Sequence, residues 1–160
     1  YLKDFQFLKW FFVQPCQMFK KINFQFLISY FGLIPYLLTF LDKYYFLIVE
    51  EKQLFSFIVY YSLIIIVFIG SINWNLKNNP PAHIVIYGFL PSLFAAMIII
   101  LSLLNINILM IFILITLLLL TQLFFDYIIL FANETNKKAF YFLRLPLTVL
   151  IMVFLFLILL

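Results

Sequence analysis

IVIYGFLPSLFAAMIIILSLLNINILMIFILITLLLLTQLFFDYIIL, residues 84–130, contains a single charge, Asp126. Asn105, Ile106 and Asn107 divide it into two apolar runs, 84–104 and 108–130. At about 1.5 Å rise per residue, a run of roughly twenty residues is the length an α-helix needs to cross about 30 Å of hydrocarbon. A transmembrane barrel would instead show alternating segments of about ten residues. The reading is therefore two spanning helices joined by a very short turn.

The rest of the chain extends the pattern. Its 160 residues are 68% hydrophobic and 10% charged, with mean hydropathy +1.20. Soluble domains are about half apolar and a quarter charged. A soluble domain of this size leaves too much surface exposed to hide so much apolar area, so lipid must be the solvent of its outer face. Further apolar runs lie at 22–41, 54–73 and 143–160. Pro35 lies inside the first, three residues after Gly32, and predicts a kink that neighbouring helices would have to compensate. The last run is uncharged only over 145–160. It spans if Arg144 snorkels to the headgroups or if the chain continues. The fold expected is all-α, a multi-pass transmembrane bundle of about five spans over 22–160.

Residues 1–21 interleave Phe5, Phe7, Leu8, Phe11, Phe12 and Val13 with Lys3, Lys9, Lys20 and Lys21. They are read as an interfacial amphipathic segment that Pro15 ends or bends. The apolar stretch is too short, and lacks the small-residue cleavage site, for a signal peptide. The chain opens on Tyr1 and not on Met, as after processing or with its start missing. No linker or internal repeat is evident, and five spans do not form the matched halves of inverted-repeat transporters.

Orientation follows from the basic residues. Eight of the ten Lys and Arg fall on one side: Lys3, Lys9, Lys20, Lys21, Lys77, Lys137, Lys138 and Arg144. Lys43 and Lys52 fall on the other. This places the N terminus on the matrix or cytoplasmic side and the C terminus outside. The net charge of +4 is dispersed through connectors, which argues for anchoring at membranes and against a nucleic-acid partner. Cys16 is the only cysteine, which excludes an internal disulfide and a cysteine metal site. Abundant Phe, Ile, Leu, Asn, Tyr and Lys beside scarce Gly, Ala and Arg are what A/T-rich codons supply, as in an organelle, a ciliate-like eukaryote or a reduced bacterium.

With that topology, several polar residues converge on the positive side. Asn73 and Trp74 end the second span, His83 opens the third, Asp126 lies late in the fourth, and Arg144 opens the fifth. An ionisable residue within "TQLFFDYIIL" is costly and needs water or a partner. Arg144, at the same depth on the next helix, is the expected partner in a structural clasp. A proton or ion relay is the functional alternative, and it needs further buried acids or histidines that the sequence does not place near mid-membrane. His83 has no second histidine, Met, Cys or carboxylate at ligand spacing, so it reads as a connector residue and not a haem or metal ligand. Trp74 reads as an interfacial anchor. No hydrolase serine motif, phosphate loop, zinc motif or dinucleotide fingerprint occurs, and Ser92 has no base to activate it. The Asn133 "NET" triplet falls on the wrong side for glycosylation. No catalytic residue, cofactor, metal or small-molecule substrate is identified. Gly88, Ser92 and Ala96 recur every four residues, with Ala95 and Pro91 alongside, and predict a close helix approach at the hub of the bundle.

In order along the chain, "GLIPY" at 32–36, "VFIGSINWN" at 67–75, "YGFLPSL" at 87–93, Asp126 and "LRLPLT" at 143–148 resemble the family of transmembrane protein sixty-nine and its bacterial relatives. The chain departs from that pattern at Ser71 and Asn75, where glycines are expected, and at Asn73, where a basic residue is frequent. The resemblance implies a mitochondrial or bacterial inner membrane and brings no reaction, cofactor or catalytic residue. The function expected is a non-catalytic accessory or scaffold subunit of a larger inner-membrane complex, that of the mitochondrial respiratory chain, with lipids and other integral subunits as partners. The alternative is a small transporter or channel using Asp126 and Arg144.

Overall fold

The computed structural model describes residues 24–72, 81–130 and 140–160. The expected interfacial segment, Asn73, Trp74, Asn75, Lys77, Asn133, Lys137 and Lys138 lie outside the described residues. Among the described residues every regular element is helical. Four helices are long and apolar enough to cross a membrane, so the chain is a helical membrane protein.

The chain divides after Gly32 into two compact units. In the first, α1 (Phe24–Phe31) ends in a turn closed by the Gly32 N–H on the Ser29 carbonyl at 3.2 Å. The second opens with α2 (Ile34–Leu41). The run expected as the first span, 22–41, is helical on both sides of a break at Gly32 and Leu33, as two helices of eight residues, each about 12 Å long. Pro35 is also placed differently from the expectation. It sits in the first turn of α2, where its missing N–H is one that no helix partner would have engaged. The Leu37 N–H makes the first bond of that helix, to the Leu33 carbonyl at 3.0 Å.

A π turn, Asp42–Phe46, follows α2 and closes with the Leu47 N–H on the Asp42 carbonyl at 2.7 Å. The helices α3 (Glu51–Ile72), α4 (Ala82–Leu103) and α5 (Ile108–Leu130) come next. A second π turn, Phe140–Arg144, leads into α6 (Leu145–Leu159). Pro146 lies in the first turn of α6, and the wider turn before it accommodates its ring. The turn lengthens the last apolar helical run to Phe140–Leu159, beyond the start expected at 143.

Asn105 and Asn107 explain how so short a connector reverses the chain. Asn105 is left-handed, with φ 56°. The Asn105 N–H reaches the Ser102 carbonyl at 3.1 Å, and the Ile106 N–H reaches the Leu101 carbonyl at 3.3 Å. This is the Schellman pattern, with Asn in the place glycine often takes. Asn107 then caps α5, its Oδ1 accepting the Leu109 N–H at 3.0 Å.

Within the second unit, contacts fix the helix directions. Phe55 meets Phe112, and Gln122 reaches Ile66, so α3 and α5 run parallel. Tyr87 meets Asp126, which sets α4 antiparallel to α5. Tyr36 stacks on Phe154, and Lys43 reaches Ile158, so α2 runs parallel to α6. The core holds Ile58 and Ile66 of α3, Ile115 and Leu119 of α5, and Ile151 and Leu155 of α6, all buried. Lipid is as apolar as these side chains, so their burial gains close packing and little transfer energy.

The hub on α4 differs from the expected stripe. Gly88 is buried, but Ser92 is half-buried and Ala96 is exposed. The buried face is Tyr87, Gly88, Pro91, Ala95 and Ile98. The close approach comes from Gly70 on α3. A Cβ there would lie 2.8 Å from Pro91 Cγ and 3.1 Å from the Gly88 carbonyl oxygen. The proline ring replaces Ser92 and Ala96 as the surface against which α3 settles.

Candidate functional site

At the end of the bundle where α5 finishes and α6 begins, a polar cluster is built from three helices and a π turn. Asp126 lies one turn from the end of α5 and is 3% exposed. Arg144 closes the second π turn and points its guanidinium at Asp126, Nε donating to Oδ2 in an ion pair. The other carboxylate oxygen accepts the Tyr87 hydroxyl from α4 at 2.7 Å. The same hydroxyl lies 3.1 Å from the Gln122 carbonyl. Thr148 donates to the Arg144 carbonyl at 2.9 Å, tying the first turn of α6 to the π turn.

Gln122 carries the cluster one turn deeper. It is 2% exposed, and its Nε2 donates to the Ile66 carbonyl of α3 at 2.8 Å. Two atoms of the cluster are buried without partners, Gln122 Oε1 and Arg144 Nη2. The ion pair itself has little solvent: the side chains of Arg144 and Asp126 are 14% and 5% exposed. A charge pair this enclosed holds only because each charge has the other and further hydrogen bonds.

A second polar step lies further along. The Tyr36 hydroxyl of α2, fully buried, meets Ser62 Oγ of α3 at 2.9 Å. Ser62 Oγ is also 2.7 Å from the Ile58 carbonyl. Thr39, 3% exposed, donates to the Pro35 carbonyl at 2.8 Å. At the opposite end from Asp126, Asp42 accepts the Ile48 and Val49 N–H groups at 3.3 and 3.1 Å. Lys43 there pairs with Glu51 at 3.4 Å and donates to the Ile158 carbonyl at 2.6 Å.

Of the residues expected to converge, the structure brings Asp126 and Arg144 together. His83 is exposed in the first turn of α4 and takes no part in the cluster. Sequence reading missed Tyr87, Gln122, Ser62, Tyr36 and Thr148. A signal for Gln122 and Thr148 was present: each lies four residues from an already suspect charge, Gln122 before Asp126 and Thr148 after Arg144, and so shares its helix face. Nothing local marks Tyr87 or Tyr36 as different from the exposed Tyr60 and Tyr127.

The arrangement joins helices and holds a neutralised charge pair. Among the described residues no three His, Cys, Asp or Glu side chains gather where a metal could be held. Two open grooves flank other parts of the bundle. One of about 530 Å³ is bordered by Pro35, Thr39, Asp42 and Gln53, and one of about 560 Å³ by Tyr60, Phe68, Ser71 and Ala95. Neither is lined by Asp126 or Arg144. No family model matches the chain, and comparison with curated proteins and with solved structures found no match to it.

Proposed function

We propose that the chain is a non-catalytic accessory or scaffold subunit of a larger inner-membrane assembly, that of the mitochondrial respiratory chain, with the bacterial inner membrane as the alternative setting. The observation that carries this reading is the outer wall of α3 and α4. Phe57, Ile64 and Phe68 of α3 and Leu93, Met97 and Ile100 of α4 are bulky, apolar and exposed. Such a wall suits lipid or the apolar flank of another integral subunit. The eight-to-two division of basic residues supports an N terminus on the matrix or cytoplasmic side. The ordered resemblance to the transmembrane protein sixty-nine family agrees with this setting. The test is native electrophoresis of gently solubilised membranes, with mass spectrometry locating the chain. Co-migration with a large complex is expected; migration as a small monomer would overturn the reading.

A second reading, a small transporter or channel using Asp126 and Arg144, gains from one observation. Buried polar groups continue from Asp126 through Gln122 towards Ser62 and Tyr36 and do not stop at one end. Reconstitution in liposomes tests it: solute flux lost in Asp126→Asn, with the fold retained, is the expected result. Wild-type liposomes no leakier than empty ones would remove it.

A further inference from the structure

The buried polar side chains of the second unit are not scattered. They follow one another at intervals of about one helical turn. Asp126 and Gln122 are one turn apart on α5. Gln122 Nε2 then crosses to the Ile66 carbonyl of α3 at 2.8 Å. Ser62 is one turn further along α3 and bonds Tyr36 of α2 at 2.9 Å. Thr39 lies three residues further along α2, and the π turn after that helix brings Asp42 and, near Glu51, Lys43. From Asp126 to Asp42 the series makes about four turns of about 5.4 Å each, so it covers roughly 20 Å of the bilayer core's about 30 Å.

We propose that this series is a proton path linking the Asp126–Arg144 end of the bundle to the Asp42–Lys43 end. This inference rests on the transporter reading and names its cargo. The cargo follows from the size and chemistry of the path. Asp126, Gln122, Ser62, Tyr36 and Thr39 are all nearly solvent-free, so no hydrated ion fits among them. A proton needs no such space, because it moves by exchange of O–H bonds. At each hydroxyl the oxygen accepts one proton on one side and releases its own on the other, leaving the group unchanged. Tyr36, Ser62 and Thr39 each carry such a hydroxyl, and Asp126 is the carboxylate that takes up or delivers the proton at one end. Tyr36 and Ser62 make the one direct hydroxyl contact of the series, whereas Thr39 Oγ1 bonds the Pro35 carbonyl of its own helix and needs a water to reach Tyr36 or Asp42, as Gln122 needs one to reach Asp126. The step between Gln122 and Ser62 has a backbone carbonyl and no hydroxyl. A single water entering there bridges about one turn, and Gln122 Oε1, a buried acceptor without a partner, is the group that would hold it. A purely structural amide would be expected to spend both of its polar atoms.

The test is proton entry into proteoliposomes containing the purified full chain and a pH-sensitive dye, driven by a potassium diffusion potential. Potassium and chloride fluxes are measured in parallel. The wild type is expected to admit protons at least tenfold faster than protein-free liposomes. Tyr36→Phe, Gln122→Leu and Ser62→Ala should each lower that rate at least tenfold. Ser62→Thr, which keeps the hydroxyl, should restore it, and Ser71→Ala, on the exposed face of α3, should leave it unchanged. Circular dichroism and detergent migration establish that each variant is folded. Folded Tyr36→Phe and Gln122→Leu proteins with wild-type proton rates would overturn the path. Potassium or chloride flux without proton flux would overturn it while leaving the transporter reading in place. No flux of any kind would end both.

Discussion

Replacing Asp126 by Leu tests whether the charge pair holds α6 to α5. The substitution removes the partner of Arg144 Nε and the acceptor of the Tyr87 hydroxyl. Tyr87 keeps the Gln122 carbonyl at 3.1 Å, so the main loss is electrostatic. Arg144 is left charged with its side chain 14% exposed. Breaking a buried pair by removing one partner costs about 3–5 kcal/mol. The site lies near a helix end, since Asp126 is four residues, about 6 Å, before Leu130. Arg144 can therefore extend toward the headgroups, which reduces the cost to about 2–3 kcal/mol. Arg144→Leu strands the carboxylate and should cost a similar amount. The double variant leaves no stranded charge, and it should lie within about 1 kcal/mol of the wild type. The assay is reversible unfolding of the four proteins in mixed micelles titrated with sodium dodecyl sulfate, followed by helicity. A coupling of about 3–6 kcal/mol is expected, the sum of the two single losses less that of the double variant. Additivity of the two single variants to within about 0.5 kcal/mol would refute the clasp.

Gly70→Ala should destabilise by about 1–3 kcal/mol in the same assay, because the added methyl meets the Pro91 ring at 2.8 Å and a backbone oxygen at 3.1 Å, neither of which can turn aside. A variant as stable as the wild type would show that α3 and α4 are not in close contact there. Asn107→Ala removes the cap on the Leu109 N–H and should cost about 1 kcal/mol, visible as faster hydrogen exchange at Leu109; unchanged exchange would contradict the cap. Tyr36→Phe should cost about 0.6 kcal/mol, and Ser62→Ala should add little to it, because the two share one hydrogen bond. Fully additive losses would mean that the bond contributes nothing.

The long helices were legible because length and apolarity alone decide them. The 108–130 span needed no correction, and Asn105 and Asn107 announced their turn by residue type. The break in the first run was not placed because a continuous apolar run does not report a backbone interruption. Gly32 and Leu33 interrupt the helix before Pro35, and hydropathy is blind to that. The buried face of α4 was misread for a related reason. The small residues Gly88, Ser92, Ala95 and Ala96 cover more than one face, and only the position of Gly70 on another helix selects Pro91 and Ala95. Tyr87 and Tyr36 were invisible because a tyrosine in a membrane helix has the same local signature at a headgroup belt as in a core.

In a soluble protein, apolar periodicity would have pointed to the core. Here α5 is apolar all round, and its leucines divide between a buried Leu119 and an exposed Leu117 with no chemical distinction. The discriminating residues are the polar ones. Thr39, Ser62, Gln122, Asp126 and Thr148 are all buried, because an unpaired polar group facing hydrocarbon is costlier than an isoleucine facing either way. Reading membrane helices by their polar minority orients α5 at once: Gln122 and Asp126 mark its inner face, and Ile115 and Leu119 continue it at helical spacing. Hydroxyls follow the rule less strictly: Thr39, Ser62 and Thr148 are buried, but Ser71 and Thr121, which bond carbonyls of their own helix, are exposed. Few as they are, the buried polar side chains therefore mark the inner faces of α2, α3, α5 and α6, and among the described residues they carry chemistry on which a function of this bundle could act.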